Sequence, residues 1–426
     1  MSDTFIDAPD RRTRARAQQS GLFRRWWSPR TGAALGYWAC TRMIMITTMF
    51  SRRENVTGEV HHYYQKWAEG LLNGSFPVGD VTWQYPPGAA AVVLAPELVP
   101  VLDYVPAFVV VVLAADLAVT AALLRASDGA DRSTAGPWLW IMGLPLLTFV
   151  PYARYDVVVA GFAVAALLAL RRMPWLGGGL AAVGALVKVW PAFAVFGAPR
   201  GRSLGPAVAG FVASAAALTG VMCFLFDGAF AFLDAQGGRG VEFESLGGTV
   251  LLVWRFFGYP GHIEYRYGSM EFVGPHVDTI AAVLVLLSVL GFCWLLVWRL
   301  RARVFTVSTP ADAALAAVLV FTVTSRVISP QYFVWLLAVG AVCLTRRATT
   351  QRPVVYLVVL ATALTTVEFP LFFEEAVRGD ALITAVLVAR NLVLLVAALL
   401  SCAALWRATT VRRPVRDRAV RTGPPA

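Results

Sequence analysis

Acids, histidines and aromatics crowd one polar stretch of the chain. It reads Gly58-Glu59-Val60-His61-His62-Tyr63-Tyr64, then Trp67, then Gly79-Asp80-Val81-Thr82-Trp83-Gln84-Tyr85-Pro86-Pro87. A carboxylate beside an apolar surface loses solvation and becomes a better proton acceptor, the property a general base needs. Glu59 and Asp80 are the carboxylates available for that work, and on spacing alone both also fit ordinary solvated loop acids. Tyr63, Tyr64, Trp67 and Trp83 fit ligand contact or an aromatic belt at a membrane interface. Val60–Leu72 has the pattern of an amphipathic helix lying along a surface, which Asn73-Gly74 would end. Asn55-Val56-Thr57 fits a glycosylation sequon, a motif common by chance.

Three other polar spots interrupt apolar sequence. Arg154-Tyr155-Asp156 precedes an apolar run, where an Arg154–Asp156 ion pair at a helix start is the plain structural reading. Lys188 stands among Leu, Val and Trp and needs either an anionic partner or a path to the surface. Ser325-Arg326-Val327-Ile328-Ser329-Pro330-Gln331-Tyr332 has a proline that breaks a helix and frees backbone groups. A fourth segment, Gln236-Gly237-Gly238-Arg239-Gly240-Val241-Glu242-Phe243-Glu244-Ser245, sets glycines beside Arg239 and Glu244, as in a ligand-gripping loop or a plain surface loop. Cations in such places suit a phosphate leaving group, and a carboxylate suits deprotonation of an attacking hydroxyl.

The elements that position these residues are membrane helices. Of 426 residues, 58% are hydrophobic and only 15% charged, against about 25% charged in soluble proteins. Continuous apolar runs recur at Val109–Leu124, Val157–Leu170, Ala207–Phe226, Ile280–Trp298, Ala313–Val323, Val354–Leu364 and Ala381–Leu405. They do not alternate, so the chain is expected to be an all-α polytopic membrane protein with about ten to twelve crossings. Arg42 in the first apolar stretch either snorkels or faces the bundle interior. Segments 87–102 and 176–198 are short and proline-bearing, as broken or re-entrant helices are. Gly177-Gly178-Gly179 reads as close helix packing, because no GxxxxGK[ST] is present.

Charge sets the expected orientation. Residues 1–30 and 407–426 carry +4 and +5 of the net +11. Flanking cations hold both tails on the cytoplasmic side, so loops 51–85 and 227–275 fall outside and nucleic acid is not an expected partner. Three domains follow: a basic tail over 1–30, a membrane domain over 31–406 and a basic tail over 407–426. The tails are expected to be disordered. The five cysteines lie far apart in apolar segments, so neither a disulfide nor a zinc site is expected. The four histidines form no HExxH. Only Glu59, His61 and Asp80 offer a set that would converge on a metal, and no metal is expected.

The ordered set of motifs is similar to one family. Acid-Val-x-x-Tyr (Glu59–Tyr63), Tyr85-Pro86-Pro87, Arg154-Tyr155-Asp156, Lys188-x-x-Pro191, Arg239-Gly240-x-x-x-Glu244-Ser245 and Ser329-Pro330-Gln331-Tyr332 follow one another over about residues 30–400. Together they resemble glycosyltransferase family 87, polyprenyl-phosphate-mannose-dependent mannosyltransferases of the GT-C membrane superfamily. The Ala-, Val- and Arg-rich composition also looks actinobacterial. The resemblance implies a GT-C-like bundle with an extracytoplasmic first loop. It implies inverting transfer of a sugar, mannose by analogy, from a polyprenyl-phosphate donor to a hydroxyl of a cell-envelope glycolipid or glycan at the plasma membrane. By the same resemblance Glu59 is the base, where the family usually carries Asp, and Asp80 is the alternative. Arg154 and Lys188 would hold the donor phosphate. His62, Tyr63, Tyr85, Asp156, Arg239, Glu244, Arg326 and Gln331 would contact donor or acceptor. No cofactor is implied, since side-chain cations can meet the leaving phosphate. A transporter or flippase of a lipid-linked intermediate also fits broken helices and buried cations.

Overall fold

A computed structural model describes residues 29–51 and 58–410; the Asn55-Val56-Thr57 sequon and most of both basic tails lie outside them. The chain forms helices almost throughout. They are α1 (Pro29–Ser51), α2 (Gln65–Leu72), α3 (Ala89–Leu94), α4 (Tyr104–Ala126), α5 (Ala135–Gly143), α6 (Asp156–Ala169), α7 (Pro174–Val187) and α8 (Leu204–Leu225). After these come α9 (Phe232–Gly237), α10 (Leu246–Arg255), α11 (Val277–Arg301), α12 (Thr309–Thr324), α13 (Tyr332–Leu344), α14 (Arg352–Thr366), α15 (Phe373–Arg378) and α16 (Ala381–Thr410). The last helix runs past Trp406 into the expected tail.

The protein is an all-α polytopic membrane protein. Among the described residues five helices are long and apolar enough to cross a bilayer: α4, α8, α11, α14 with its π turn to Leu371, and α16. That is fewer than the ten to twelve crossings expected, because seven further apolar helices are only 10–17 residues long. Two of these, α12 and α13, are buried nearly end to end, so other helices rather than lipid surround them. By contrast α8 and α11 expose large apolar side chains such as Val212, Phe224, Leu286 and Leu290. Contiguous apolar exposure of that kind is untenable in water and natural against lipid.

Segment 87–102 is a short broken element, α3 followed by a 3-10 turn over Ala95–Leu98. Segment 176–198 is α7, then a 3-10 turn over Trp190–Val195. Small residues let these pieces pack. A Cβ on Gly178 would overlap the Ala207 carbonyl of α8, and one on Gly210 would overlap the Trp175 carbonyl. The glycine run is therefore a close-packing stripe, as expected. The 227–275 segment departs from pure helix. It carries a small antiparallel sheet, β1 (Val241–Glu242), β2 (His262–Arg266) and β3 (Ser269–Val273), in the order β1-β3-β2. Val241 and Ile263 both pair with Phe272. Their apolar side packs on Leu251, Leu284 and Leu387 to make a second small core.

One polar knot joins the first helices. Arg42 is 1% exposed, and its partner is Asp116 of α4 at 2.7 Å. Trp38, Trp140 and Tyr152 also donate to that carboxylate, at 3.1, 2.6 and 2.6 Å. Arg42 in turn donates to the Ile141 carbonyl at 2.7 Å. Arg42 thus faces the interior. Asp116 is the one charged residue in the otherwise apolar run Val109–Leu124.

Removing one partner of such a pair leaves a buried charge. Asp116→Ala is expected to destabilise the protein by roughly 3–5 kcal/mol. The double change Arg42→Met with Asp116→Leu, which leaves no charge behind, should recover most of it. Thermal unfolding in detergent checks this. Equal losses in the single and double variants would rule out the pairing as the cause.

Candidate active site

A cavity of about 1100 Å³ opens at the end of the bundle that carries residues 58–88, the 148–155 turn and the 325–331 segment. Local structure brings Glu59 to it. The chain takes a π-helical turn over Val60–Tyr64 before entering α2. A π turn stacks residues five apart, and the Tyr64 hydroxyl accordingly donates to the Glu59 carboxylate at 2.9 Å. Tyr85 donates to the same oxygen at 3.5 Å. Tyr85 reaches this point because Gly88, three residues on, lies against α7; a Cβ there would press on the Leu186 carbonyl.

Arg154-Tyr155-Asp156 supplies both charges of the opposite wall, but not as a pair with each other. Arg154 lies in the turn before α6 and binds Glu59 at 2.5 Å, with both side chains about one-fifth exposed to the cavity. Asp156 opens α6, where a carboxylate suits the helix N-terminus. It is 1% exposed and holds Lys188 at 2.7 Å and the Trp335 indole at 2.6 Å. The simple Arg154–Asp156 ion pair expected from sequence is replaced by two crossed pairs. The reason is geometric, since the last turn before α6 sends the two side chains to different helices. Lys188 terminates α7 in an extended conformation. Its ammonium lies 5.1–5.9 Å from the ring centres of Trp335, Tyr155, Tyr85 and Tyr332, within cation–π range. Asp156 therefore sits behind the lysine rather than in the cavity lining.

The far wall comes from the sheet and the 325–331 segment. Arg239 binds Glu271 at 3.2 Å and Ser269 at 2.7 Å. Arg326 donates to the Arg239 and Gln236 carbonyls at 2.6 and 2.9 Å. Glu242 accepts from the Ile328 amide and the Ser329 hydroxyl, at 2.7 and 3.1 Å, which clamps the segment broken by Pro330. Arg239, Glu244, Arg326 and Gln331 all line the cavity, as do Glu242, Tyr265 and Tyr332. The Tyr63 and Tyr265 hydroxyls meet at 3.1 Å, joining the first loop to the hairpin.

Besides Asp156, two expected residues are not brought into the lining. His62 is exposed on the helical surface beside His61 and is absent from the lining. Asp80 is also absent from the lining, and accepts from the Trp67 indole at 2.9 Å and from the Thr82 amide and hydroxyl. Glu59, His61 and Asp80 do not converge: His61 turns to Gln65 at 2.9 Å. Among the described residues no three His, Cys, Asp or Glu side chains are placed to hold a metal ion.

The electrostatics divide the cavity. Burial opposes ionisation of Asp80, but its hydrogen bonds from Thr82 and Trp67 outweigh that and hold it below the usual carboxylate range. Asp80 is thus a locked, weakly basic group. Burial and then the Glu59 charge raise the phenols of Tyr64 and Tyr85, so both remain hydrogen-bond donors. Burial disfavours the Arg154 cation, yet the Glu59 carboxylate more than offsets this. On the far wall burial lifts Glu242 to about 7. Glu244 is pushed well above the usual range by burial, then by Glu368 and Glu242. One wall carries Glu59, Arg154 and Lys188, and the other sets Arg239 and Arg326 beside acids whose proton affinity burial has raised.

Sequence reading missed Glu242, Tyr265, Tyr332 and Trp335 as lining residues. Tyr332 and Glu242 stood inside quoted motifs and were within reach. Trp335 and Tyr265 carried no signal, because only the fold brings α13 and the hairpin to Lys188 and Tyr63.

No curated protein matches the chain. A family model, glycosyltransferase family 87, matches residues 83–330, more than half of the sequence, and takes in Tyr85, Arg154, Lys188, Arg239, Glu244 and Arg326 of the cavity together with Asp156 behind it. The chain belongs to glycosyltransferase family 87.

Proposed function

We propose that this membrane glycosyltransferase moves a sugar, mannose by family analogy, from a polyprenyl-phosphate donor to a hydroxyl of a cell-envelope glycolipid or glycan. The transfer inverts the anomeric centre and takes place on the extracytoplasmic side of the plasma membrane. The observation that carries this reading is the meeting of Glu59, Arg154 and Lys188 on one cavity. Glu59 takes the proton as the acceptor oxygen bonds to the anomeric carbon. The bond from that carbon to the phosphate oxygen breaks on the other side, and polyprenyl phosphate leaves. The phosphate gains negative charge as that bond breaks. Cations fixed beside it therefore bind the transition state more tightly than the ground state.

Each residue has a part in this reading. Lys188 is held by Asp156 and by aromatic rings, so it is oriented before the donor arrives. Arg154 is shared: without donor it neutralises Glu59, and the arriving phosphate competes for it. As Arg154 swings to the phosphate, Glu59 keeps its tyrosine donors and is freed to accept a proton. Arg239, Glu244, Arg326 and Gln331 bind hydroxyls of donor or acceptor. The cavity wall also includes Val285 on lipid-exposed α11, which gives a lipid-borne donor a side entrance. The positive-inside pattern supports the orientation. Family membership favours transfer over the transport reading.

Two outcomes test the roles, with purified protein and a synthetic donor, by following release of free polyprenyl phosphate. Glu59→Gln is expected to lower kcat by about 10²–10⁴-fold while donor binding is kept. Unchanged turnover would move the base elsewhere, and Asp80→Asn would then be the variant to measure. Lys188→Gln is expected to cost roughly 10²–10³ in kcat. Because it strands Asp156, it is paired with Asp156→Asn to separate folding from chemistry. A double variant that folds and turns over normally would remove Lys188 from the phosphate.

A further inference from the structure

A second cavity, about 1050 Å³, opens at the opposite end of the bundle. Helices α6 and α13 start at the active site, with Asp156 and Tyr332, and finish at this second cavity, with Leu170 and Thr345. At 1.5 Å rise per residue the two sites are about 20 Å apart. Arg125, Arg132, Arg171, Arg172 and Arg346 line the second cavity, and Asp128 is the lone acid among its lining residues. Apolar side chains such as Leu168, Leu170 and Phe305 make up other parts of the wall.

Arginines at helix C-termini are ordinary, because they complement the helix dipole and obey the positive-inside pattern. That explanation accounts for some neighbours. Arg200 caps α11 by donating to the Leu300 carbonyl at 3.0 Å. Arg347 donates to the Arg132 carbonyl at 3.0 Å, and Arg132 caps α4 through the Ala126 carbonyl at 2.7 Å. It does not account for Arg171, Arg172 and Arg346: the first two are exposed, none of the three side chains makes a hydrogen bond or salt bridge among the described residues, and the charge of Asp131 only partly offsets the crowding of cations on Arg346. Nearby, Arg299 lies over the Phe305 ring at 5.0 Å, and its two terminal nitrogens are buried without an acceptor. Burial, then the charges of Arg132 and Arg171, pushes Arg346 down to about 10. Arg132 is lowered by burial, then by Arg171 and Arg172. Cations gathered around one hollow, several of them with guanidinium donors open to it, are stabilised by an anion with several acceptor oxygens.

We propose that this basic cavity is a second binding site, which takes a phosphate-bearing anion through Arg132, Arg171, Arg172 and Arg346. The shared chemistry is a phosphate group with exposed oxygens. Its source is either the head group of an anionic phospholipid, whose chains lie on the apolar wall, or a free phosphate compound. Distance from the candidate active site makes the proposal independent of the reaction assigned there.

The full-length protein, exchanged into phosphatidylcholine, is titrated separately with cardiolipin and with inorganic pyrophosphate. Bound mass is read by native mass spectrometry and stability by melting temperature. Wild type is expected to bind at least one probe saturably and to melt at a higher temperature with it. Arg171→Gln combined with Arg346→Gln should weaken that binding about tenfold or more, and Arg171→Lys combined with Arg346→Lys, which keeps the charge but loses the fork, should weaken it less than the Gln pair. Cardiolipin binding that pyrophosphate does not displace identifies a lipid head group; displacement identifies the phosphate itself as sufficient. Absence of saturable binding of both probes by wild type overturns the proposal, whatever the variants do. Binding that the Gln pair leaves unchanged overturns it as well.

Discussion

A charge inside a low-dielectric bundle must find its opposite, and that constraint shapes the working end of this protein. Asp116 on α4 gathers Arg42, Trp38, Trp140 and Tyr152. It thereby fixes α1, α5 and the turn before α6 against one helix. Tyr152 stands two residues before Arg154, so the same knot sets where that turn lies. From there Arg154 and Asp156 diverge, one to Glu59 and one to Lys188. Arg154, Lys188 and Arg239 are thus each placed by a carboxylate from a different element. The arrangement holds the groups in position before any substrate arrives, which is what electrostatic catalysis requires.

The two crossed pairs are not equivalent. Lys188–Asp156 is backed by Trp335 and surrounded by aromatic rings, and its carboxylate is sealed from the cavity. Breaking it would strand a charge, so the lysine is a fixed feature. Arg154–Glu59 faces the cavity on both sides and is shared with two phenol hydroxyls. An incoming anion can compete for Arg154 without exposing an unpaired buried acid. A rigid cation beside an exchangeable pair suits a reaction in which charge appears on one group while a proton is taken up by another.

The bundle is also asymmetric between its ends. One end joins acids, cations and aromatics into mutual contacts and adds a small sheet to close the wall. The other collects arginines with few acids. Ordinary helix capping explains Arg132, while Arg171 and Arg172 make no side-chain hydrogen bond or salt bridge among the described residues. Helices α6 and α13 run between the two, so both cavities hang on the same buried elements.

Class and site were legible in the sequence to different depths. Long unalternating apolar runs determined a helical membrane protein, because nothing else satisfies the backbone in lipid. The order of short motifs determined the family, and the lone charges Arg42 and Lys188 announced that partners existed. Local patterns also sufficed for the amphipathic stretch after Val60 and the packing role of Gly178. Which carboxylate met which cation was a matter for tertiary structure alone. Arg154 and Asp156 are two residues apart, and chain proximity favours pairing them; the turn before α6 points them at helices distant in sequence. Likewise Asp80 and Glu59 are both loop acids in the sequence, and only the folded chain ties Asp80 to Trp67 and Thr82, away from the cavity lining. Trp335 and Tyr265 acquired their places through contacts spanning well over a hundred residues, and such contacts leave no trace in local spacing.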